Sequence, residues 1–421
     1  MDQRVTTGSH AHATAAGGAT TEFEPDVLEL LVETLRRAVR RELPAVGTDT
    51  LLGELVMGDT DAGAAIAPGM RKAGSLSGMI SGRAGRGWVS DDEAHSVPGS
   101  AGTDEEADED AGREADEKEV DAAWREAQWR FGLGSRGSAP ESGRVLPRMT
   151  GAVRACLLLA LRSARAEGTI SVRCRHVARA LLDLPDSRAR EALLLRRLDP
   201  AAAATVLDGL DAGASAESEG PESRGVTLLR RAGTLGKSGN PLARALTSWT
   251  SGAAVNGSPV LFAVSGEAVR QAVRCGRAAA EPVDLLLGIL ALDRALSVAG
   301  RTLPRSPATA NAAPALMSRH GVRQASLVSS APAITPTAVP DGDSDGVRLS
   351  AAAERTVAVA RLTAVEHGSP SVGTVHLLSA LLEESATDAD TGAGDAVARL
   401  LAADQVDVAA LRAELSLRLG A

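Results

Sequence analysis

The segment Gly236-Lys237-Ser238 has the residue types that close a phosphate-binding loop. In such a loop a glycine five residues earlier lets backbone N–H groups wrap around the phosphates. The residue at that position is Arg231, Gly233 is out of place, and Pro241 follows closely. No strand pattern precedes the segment. We therefore predict that the chain does not bind ATP there.

Two histidine patterns are the other candidates for chemistry. His10 and His12 form an H-x-H pair that could ligate a metal, but two histidines on a flexible tail make a weak site. His176 has no serine or cysteine spaced around it as a nucleophile motif. We interpret it as a structural residue at a helix start, like His376 further along the chain. The sequence therefore predicts no catalytic group, no metal and no cofactor.

Cysteine usage and charge narrow the class of protein. Cys156, Cys174 and Cys275 lie in helical patterns without C-x-x-C spacing, which favours buried thiols in a reducing cytoplasm. No apolar run has the length of a signal peptide or a membrane span. The net charge of −9 comes without a basic stripe, which argues against nucleic-acid binding. We expect a soluble cytoplasmic protein that binds neither nucleic acid nor membrane.

The elements that would position any site are helical hairpins. Over residues 349–384 the sequence predicts two helices, with Ser350 capping the first and Thr374 capping the second. A short break at residues 367–370 (HGSP) separates them. Leucine, alanine and valine recur at three- and four-residue steps on both helices, which is the pattern of a packed αα-hairpin.

The same hairpin pattern occurs four times in one register. The first helix starts at Phe23, Met149, Gly257 and Leu349, and 24 residues after each start comes the beginning of the second helix. Nineteen residues after the start the later three copies have glycine, Gly168, Gly276 and Gly368, whereas the first has Glu42. We interpret this register as an internal repeat.

Composition supports an all-α fold, because the chain has no tyrosine and only three phenylalanines to fill a strand-rich core. A chain of 421 residues suffices for two domains, each built from a pair of repeats. The predicted organisation is a disordered tail (1–21), domain one (22–212, with repeats 23–89 and 146–212), a connector (213–256) and domain two (257–421, with repeats 257–300 and 347–421).

Three segments do not fit the hairpin pattern. Residues 61–87 are rich in glycine and lack a convincing third helix, and residues 301–345 have the composition of a linker. The acidic insert, residues 90–122, is predicted to stay extended and solvated because its like charges adjoin one another. It is either a solubilising linker, which is the interpretation we favour, or an acidic segment that attracts a basic binding partner. In the connector, residues 228–249 are expected to form a short helical bridge.

A short helix containing two tryptophans follows the acidic insert, over residues 120–131. Trp124 and Phe131 share one of its faces at helical spacing. An exposed aromatic face of this kind can dock a partner. Alternatively, the helix folds back as a lid on its own domain, which is the interpretation that we favour.

Two segments then carry a resemblance to a known family. Residues 372–378 (VGTVHLL) and 46–52 (VGTDTLL) resemble the signature of the Clp N-terminal repeat, which forms the N-terminal domain of Clp-type AAA+ unfoldases. The family's tail is matched by residues 396–401 (AVARLL) and 406–412 (VDVAALR). The resemblance implies four Clp N-type repeats that pair into two pseudo-twofold helical domains, without any AAA+ motor.

In that family the N-domain binds substrates and adaptors and is not a catalyst. Some members recognise phosphoarginine through an acid in the motif, which is Asp49 in the first copy here but Arg175, Val283 and Val375 in the others. The simpler role for Asp49 is a solvated helix cap. The residues that the resemblance places in partner binding are Thr48, Asp49, Thr374 and His376, with Trp124 and Phe131 as the aromatic addition.

The sequence therefore leaves three functional hypotheses. The first is a protein-binding module of the Clp system that works by occupancy alone, as an adaptor, a decoy or a sequestering factor. Its partners would be a Clp-type AAA+ unfoldase, the unfoldase's adaptors or client proteins. The second is a helical, self-associating scaffold with no Clp role. The third, an unrecognised hydrolase, lacks a nucleophile elbow or metal-ligand pattern to support it.

Overall fold

A computed structural model gives the fold and describes residues 19–83, 86–93, 106–134, 146–213, 222–235, 258–303, 310–334, 346–387 and 393–420. These residues form helices joined by loops and a few two-residue strands, so the all-α class is confirmed. The histidine pair His10 and His12, the segment Gly236-Lys237-Ser238 and most of the predicted tail lie outside the described residues.

The chain separates into two compact units. The N-terminal unit is Thr21–Ser218, and the C-terminal unit is Glu219–Ala421 together with Met1–Thr20. The described helices of the N-terminal unit are α1 (Pro25–Arg40), α2 (Thr48–Met57), α3 (Asp61–Ile66), α4 (Met70–Arg83), α5 (Glu106–Gly134), α6 (Gly151–Ala166), α7 (Cys174–Asp183), α8 (Arg188–Leu195) and α9 (Pro200–Gly213). Those of the C-terminal unit are α10 (Arg224–Arg231), α11 (Pro259–Arg274), α12 (Pro282–Val298), α13 (Ala313–Arg319), α14 (Gln324–Ile334), α15 (Ala351–Glu366), α16 (Thr374–Thr387), α17 (Ala393–Ala403) and α18 (Val408–Leu419).

Short parallel strand pairs hold helix starts next to one another. In the N-terminal unit β1 (Glu22–Phe23) pairs with β4 (Ser171–Val172), and β2 (Ala45–Val46) pairs with β3 (Arg148–Met149). In the C-terminal unit β5 (Ala279–Ala280) pairs with β6 (Arg348–Leu349).

The register of all three pairs is the same relative to the sequence pattern. Phe23 lies opposite Val172, Met149 opposite Val46 and Leu349 opposite Ala280. In each case a hairpin start from the sequence pairs with the residue 23 positions after another start. Each two-residue strand leads into a helix, so the pairing sets two helix starts side by side.

The first helix of every hairpin also ends in the same way. Glu42, Gly168, Gly276 and Gly368, all 19 residues after the hairpin starts, have positive φ angles of 54°, 71°, 72° and 61°. The next residue's N–H then bonds back to a carbonyl five residues earlier, as Leu43 does to Ala38 at 3.0 Å. This is the Schellman arrangement, in which glycine avoids the steric cost of a left-handed residue.

Replacing Glu42 with glycine is therefore expected to stabilise the N-terminal unit by up to about 1 kcal/mol, because glycine removes the strain at φ 54°. Glu29→Gly is the matched control, since Glu29 is exposed in the middle of α1. There the same change is expected to destabilise the unit by about 1 kcal/mol. Urea unfolding followed by tryptophan fluorescence measures both variants. A destabilised Glu42→Gly variant would contradict the explanation.

Each unit has its own hydrophobic core, made mostly of leucine, alanine and valine. In the N-terminal unit Leu31 and Leu35 of α1 are fully buried in the same core cluster as Leu51 and Leu52 of α2. A fully buried leucine contributes about 1.5–3 kcal/mol, so these contacts fix the hairpin. Small alanine side chains bring the helix axes close together.

The expectation that residues 61–87 lack a third helix is wrong, because α3 and α4 lie there and bury Ile66, Leu76 and Ile80. A Cβ on Gly63 would collide with the carbonyl of Leu55. The glycine that weakens the sequence signal is therefore the residue that lets α3 approach the backbone of α2.

The prediction of an extended, solvated acidic insert is wrong for its described residues 106–122, which belong to the long helix α5. Asp116 is only 5% exposed; it pairs with Arg165 and accepts a hydrogen bond from Arg162 at 3.4 Å, both on α6. Asp121 pairs with Arg154 on the same helix. The basic partner of this acidic segment thus lies within the unit, which neither sequence interpretation foresaw.

Two other segments predicted as connections are also helical in their described parts. In the connector, α10 begins at Arg224 rather than at the predicted 228 and buries Val226 and Leu229 in the core of the C-terminal unit. In the predicted linker 301–345, α13 and α14 bury Leu316 and Leu327 in the same core. Packing stabilises these three short helices, although their sequence signals are weak.

Candidate functional site

Thr48, the first residue of α2, lies in a buried polar cluster. Its N–H donates to Asp92 Oδ2 at 2.6 Å, and its hydroxyl lies 2.9 Å from the same oxygen. The hydroxyl also accepts the N–H of Ala189 at 3.0 Å. Asp92 accepts a further hydrogen bond from the N–H of Arg188 at 2.9 Å. One fully buried carboxylate thus satisfies the orphan donors at the starts of α2 and α8 together.

Asp49 follows Thr48 and is 2% exposed. The prediction of a solvated cap is therefore wrong; the N-cap of α2 is Gly47. The Oδ1 atom of Asp49 is buried without a hydrogen-bond partner among the described residues. Burial, with the nearby Asp92 carboxylate, raises the pKa of Asp49 to about 6, although Arg188 opposes the shift.

Gly47 is the residue that leaves room for this cluster. A Cβ there would collide with Asp49 Oδ1 and would lie 3.0 Å from Asp92 Oδ2 and 3.2 Å from Arg188 Nη1. The space in front of α2 is therefore filled by two carboxylates and a guanidinium. Such an arrangement can exchange a proton and hold charge, but its groups face each other rather than solvent.

The C-terminal unit builds a neutral version of the same arrangement at the start of α16. The N–H of Thr374 donates to Asn311 Oδ1 at 3.3 Å, and its hydroxyl accepts the N–H of Ala313 at 3.3 Å. A Cβ on Gly373 would collide with the carbonyl of Ala310. Thr374 is the first helical residue, so the prediction that it caps its own helix is wrong. Its hydroxyl instead joins α16 to α13.

His376 takes the capping role on α16. Its Nδ1 accepts the N–H of Gly373 at 3.0 Å, and the side chain is 2% exposed. Burial lowers the pKa of His376, and electrostatic interaction with His367 adds to that shift. A neutral ring is the form that can accept this hydrogen bond at Nδ1.

His176 occupies the equivalent place on α7, as predicted. Its Nδ1 accepts the N–H of Arg173 at 2.9 Å, and its Nε2 lies 3.1 Å from Glu167 Oε2. In α12 the same place is taken by Asp284, whose Oδ2 accepts the N–H of Glu281 at 2.9 Å. The structural role of His176 at a helix start is therefore confirmed.

The aromatic pair Trp124 and Phe131 packs into the core of the N-terminal unit. Trp124 is 8% exposed and Phe131 is half-buried against the same core. The helix therefore folds back onto its own unit, which was the favoured interpretation, and the pair is not presented as a docking face.

The six candidate residues thus fall into three separate places: Thr48 with Asp49, Thr374 with His376, and Trp124 with Phe131. The structure adds Asp92, Arg188 and Asn311, which the sequence analysis missed. Asp92 lies in the acidic insert, where nothing in its neighbourhood distinguishes it from other acidic residues. Only the fold shows that this carboxylate closes the cluster.

Two of the three thiols are buried and are not activated. Cys156 and Cys174 are buried, and burial raises the pKa of both thiols, so neither is an activated nucleophile. Across the described part of the chain, no three His, Cys, Asp or Glu residues come together as a metal site. Among the same residues, no helix combines the length and apolar character needed to cross a membrane.

Comparison of the chain with models of protein families, with curated proteins and with solved structures finds no match. The geometry therefore carries the functional argument by itself. Its main feature is that polar groups at helix starts are used to join helices within a unit.

Proposed function

We propose that the chain is a non-catalytic protein-binding module of the Clp proteolysis and unfoldase system, acting in the cytoplasm as an adaptor, a decoy or a sequestering factor. The observation that carries the proposal is the common register of the three strand pairs, in which a hairpin start lies opposite the residue just before a second-helix start. Such pairing of hairpins is what the resemblance to Clp N-type repeats implies. The VGT segment at 46–48 begins in one of these strand pairs, whereas Thr374 of the second VGT segment bonds to Asn311 and Ala313.

The proposed mechanism is occupancy of a partner surface. The polar groups of the VGT segments bond within their own units, so recognition depends on exposed side chains of the helices. Leu194 on α8, Phe262 on α11 and Leu362 on α15 are 59%, 67% and 62% exposed. Large apolar side chains of this kind are typical anchors of protein–protein contacts. Phosphoarginine recognition through Asp49 is not part of the proposal, because Asp49 is buried.

The proposed partners are a Clp-type AAA+ unfoldase, its adaptors or its client proteins, and no cofactor, nucleic acid or membrane is involved. The test uses the purified full chain and the purified Clp-type unfoldase of the same organism. Biolayer interferometry measures binding, and the rate of ATP-dependent unfolding of a fluorescent client measures its consequence. We expect saturable binding and a changed unfolding rate at concentrations near the Kd.

A matched pair of variants tests the surface. Phe262→Ser is expected to weaken unfoldase binding about tenfold, as loss of an anchoring aromatic does. Val89→Ser is the control, since Val89 is 94% exposed but belongs to a loop rather than to a helix. An unfoldase that shows no saturable binding and an unchanged client rate would refute the proposed function.

The alternative is a helical scaffold that associates with itself and has no Clp role. The exposed apolar side chains favour it to the same extent, because such residues also anchor homo-oligomers. Sedimentation equilibrium between about 1 and 100 µM distinguishes the two. A concentration-dependent rise in mass that Phe262→Ser abolishes, without unfoldase binding, would favour the scaffold.

A further inference from the structure

A cavity of about 470 Å³ lies in the N-terminal unit between the end of α1 and one face of α4. Three arginines of the α1 end, Arg37, Arg40 and Arg41, line one side. The opposite wall is small: it consists of Gly74, Ser77, Gly78 and Ser81, with Met57 beside them. The volume falls in the range of sites for small molecules.

The three arginines leave this cavity with an excess of positive charge. Arg37 pairs with Glu54 and donates to Ser77 Oγ at 3.0 Å. Arg41 donates through one nitrogen to the backbone carbonyl of Ser81, and this neutral acceptor does not balance the guanidinium charge. Arg40 is exposed and makes no ion pair within the described residues. One carboxylate therefore faces three guanidinium groups.

These cations are close enough to influence each other. The pKa of Arg37 is lowered first by burial and then by the charges of Arg41 and Arg40. An anion between the three groups would relieve that repulsion. The arginines also complement the negative end of the α1 dipole. That role explains basic residues in the last turn, but it does not require a cavity facing them.

The wall formed by α4 is shaped to leave the cavity open. Gly74 and Gly78 are one helical turn apart, and a Cβ at either position would have no atom within 4 Å. Neither glycine is therefore explained by close packing of another backbone, unlike Gly63. Ser77 is buried, and its oxygen accepts from Arg37, so its hydroxyl hydrogen remains available to an anion.

We propose that this cavity binds a small anion of the diphosphate class. Guanidinium groups form bidentate hydrogen bonds with phosphate oxygens, and two of them on one side can hold two linked phosphates. The serine hydroxyl on the α4 wall supplies a further donor. This site goes beyond the proposed function, and its test does not depend on the Clp system.

Isothermal titration calorimetry of the full chain with pyrophosphate tests the proposal, at constant ionic strength and with sulfate as the comparison anion. We expect saturable binding of pyrophosphate at one site per chain, tighter than that of sulfate. The double variant Arg40→Gln/Arg41→Gln is expected to weaken pyrophosphate binding at least tenfold. Arg36→Gln is its control, because Arg36 pairs with Glu33 on α1 and does not line the cavity.

A second pair of variants tests the cavity without removing charge. Gly78→Leu places a side chain in the cavity and is expected to abolish binding. Gly82→Leu is the matched control on α4, since Gly82 is also open but lies outside the cavity lining. Circular dichroism checks that each variant folds. The proposal is overturned if pyrophosphate does not bind saturably, if it binds no tighter than sulfate, or if folded Gly78→Leu and Gly82→Leu bind it equally well.

Discussion

Replacing Gly288 with alanine is expected to destabilise the C-terminal unit by about 1–3 kcal/mol, although alanine is the better helix former. Gly288 lies in the middle of α12 where α11 crosses it. A Cβ there would lie 2.7 Å from the carbonyl oxygen of Val264, and 2.9 Å from the nitrogen and 3.2 Å from the Cα of Ala268. These are backbone atoms that cannot rotate away, so the two helices must separate.

Gly266→Ala is the matched control for this change. Gly266 lies on α11 itself, is exposed, and has open space where a Cβ would be. There the same substitution is expected to stabilise the unit by up to about 1 kcal/mol through helix propensity. Hydrogen–deuterium exchange of peptides from α11 and α12 measures the free energy of opening in each variant. Effects of the same sign in both would mean that α11 and α12 do not approach this closely.

The fold class could be predicted from the sequence because helical periodicity is a local signal. The apolar steps in α15 and α16, and the glycines 19 residues after three of the hairpin starts, depend only on neighbouring residues. Even Glu42, the exception in sequence, has the backbone angle of the glycines. The conformation at that position is therefore set by the hairpin and not by the residue type alone.

The segments that were predicted wrongly depend on contacts distant in sequence. The helix α5 carries adjacent like charges, and two of its carboxylates are compensated by Arg154 and Arg165 of α6. Similarly, Gly63 reads as a helix breaker until α2 is placed against it. Propensity arguments describe an isolated helix, whereas packing and charge compensation decide these cases.

The candidate site shows the same limit in its chemistry. The sequence identified Thr48 and Asp49 through a motif, but it gave them the wrong surroundings. Asp92, which lies 44 positions after Thr48, brings a second carboxylate to the cluster and contributes to the raised pKa of Asp49. No spacing rule links these two positions, because a chain of this length between them can follow many paths.

Replacing Asp49 with asparagine is expected to make the N-terminal unit more stable at about pH 8, by about 1–3 kcal/mol. Burial and Asp92 raise the pKa of Asp49 from 3.8 to about 6. Between those two pH values the folded chain keeps a proton that the unfolded chain has released. The free energy of unfolding therefore falls as pH rises through this window. Above about pH 6 the buried carboxylate is charged and destabilises the folded unit to its full extent.

The stabilisation by Asp49→Asn is expected to depend on pH, which distinguishes titration of Asp49 from a change in packing. At about pH 4 most of the carboxyl is protonated in the folded state, so Asp49→Asn should change the free energy of unfolding far less than at about pH 8. Asp59→Asn is the control, because Asp59 is exposed just after the same helix. Urea unfolding followed by tryptophan fluorescence reports this unit through Trp88, Trp124 and Trp129. An increase in the free energy of unfolding that is equal at both pH values would show that the Asp49 carboxyl does not titrate with a raised pKa. An increase at high pH only would mean that the unit holds its buried carboxylate at the expense of stability.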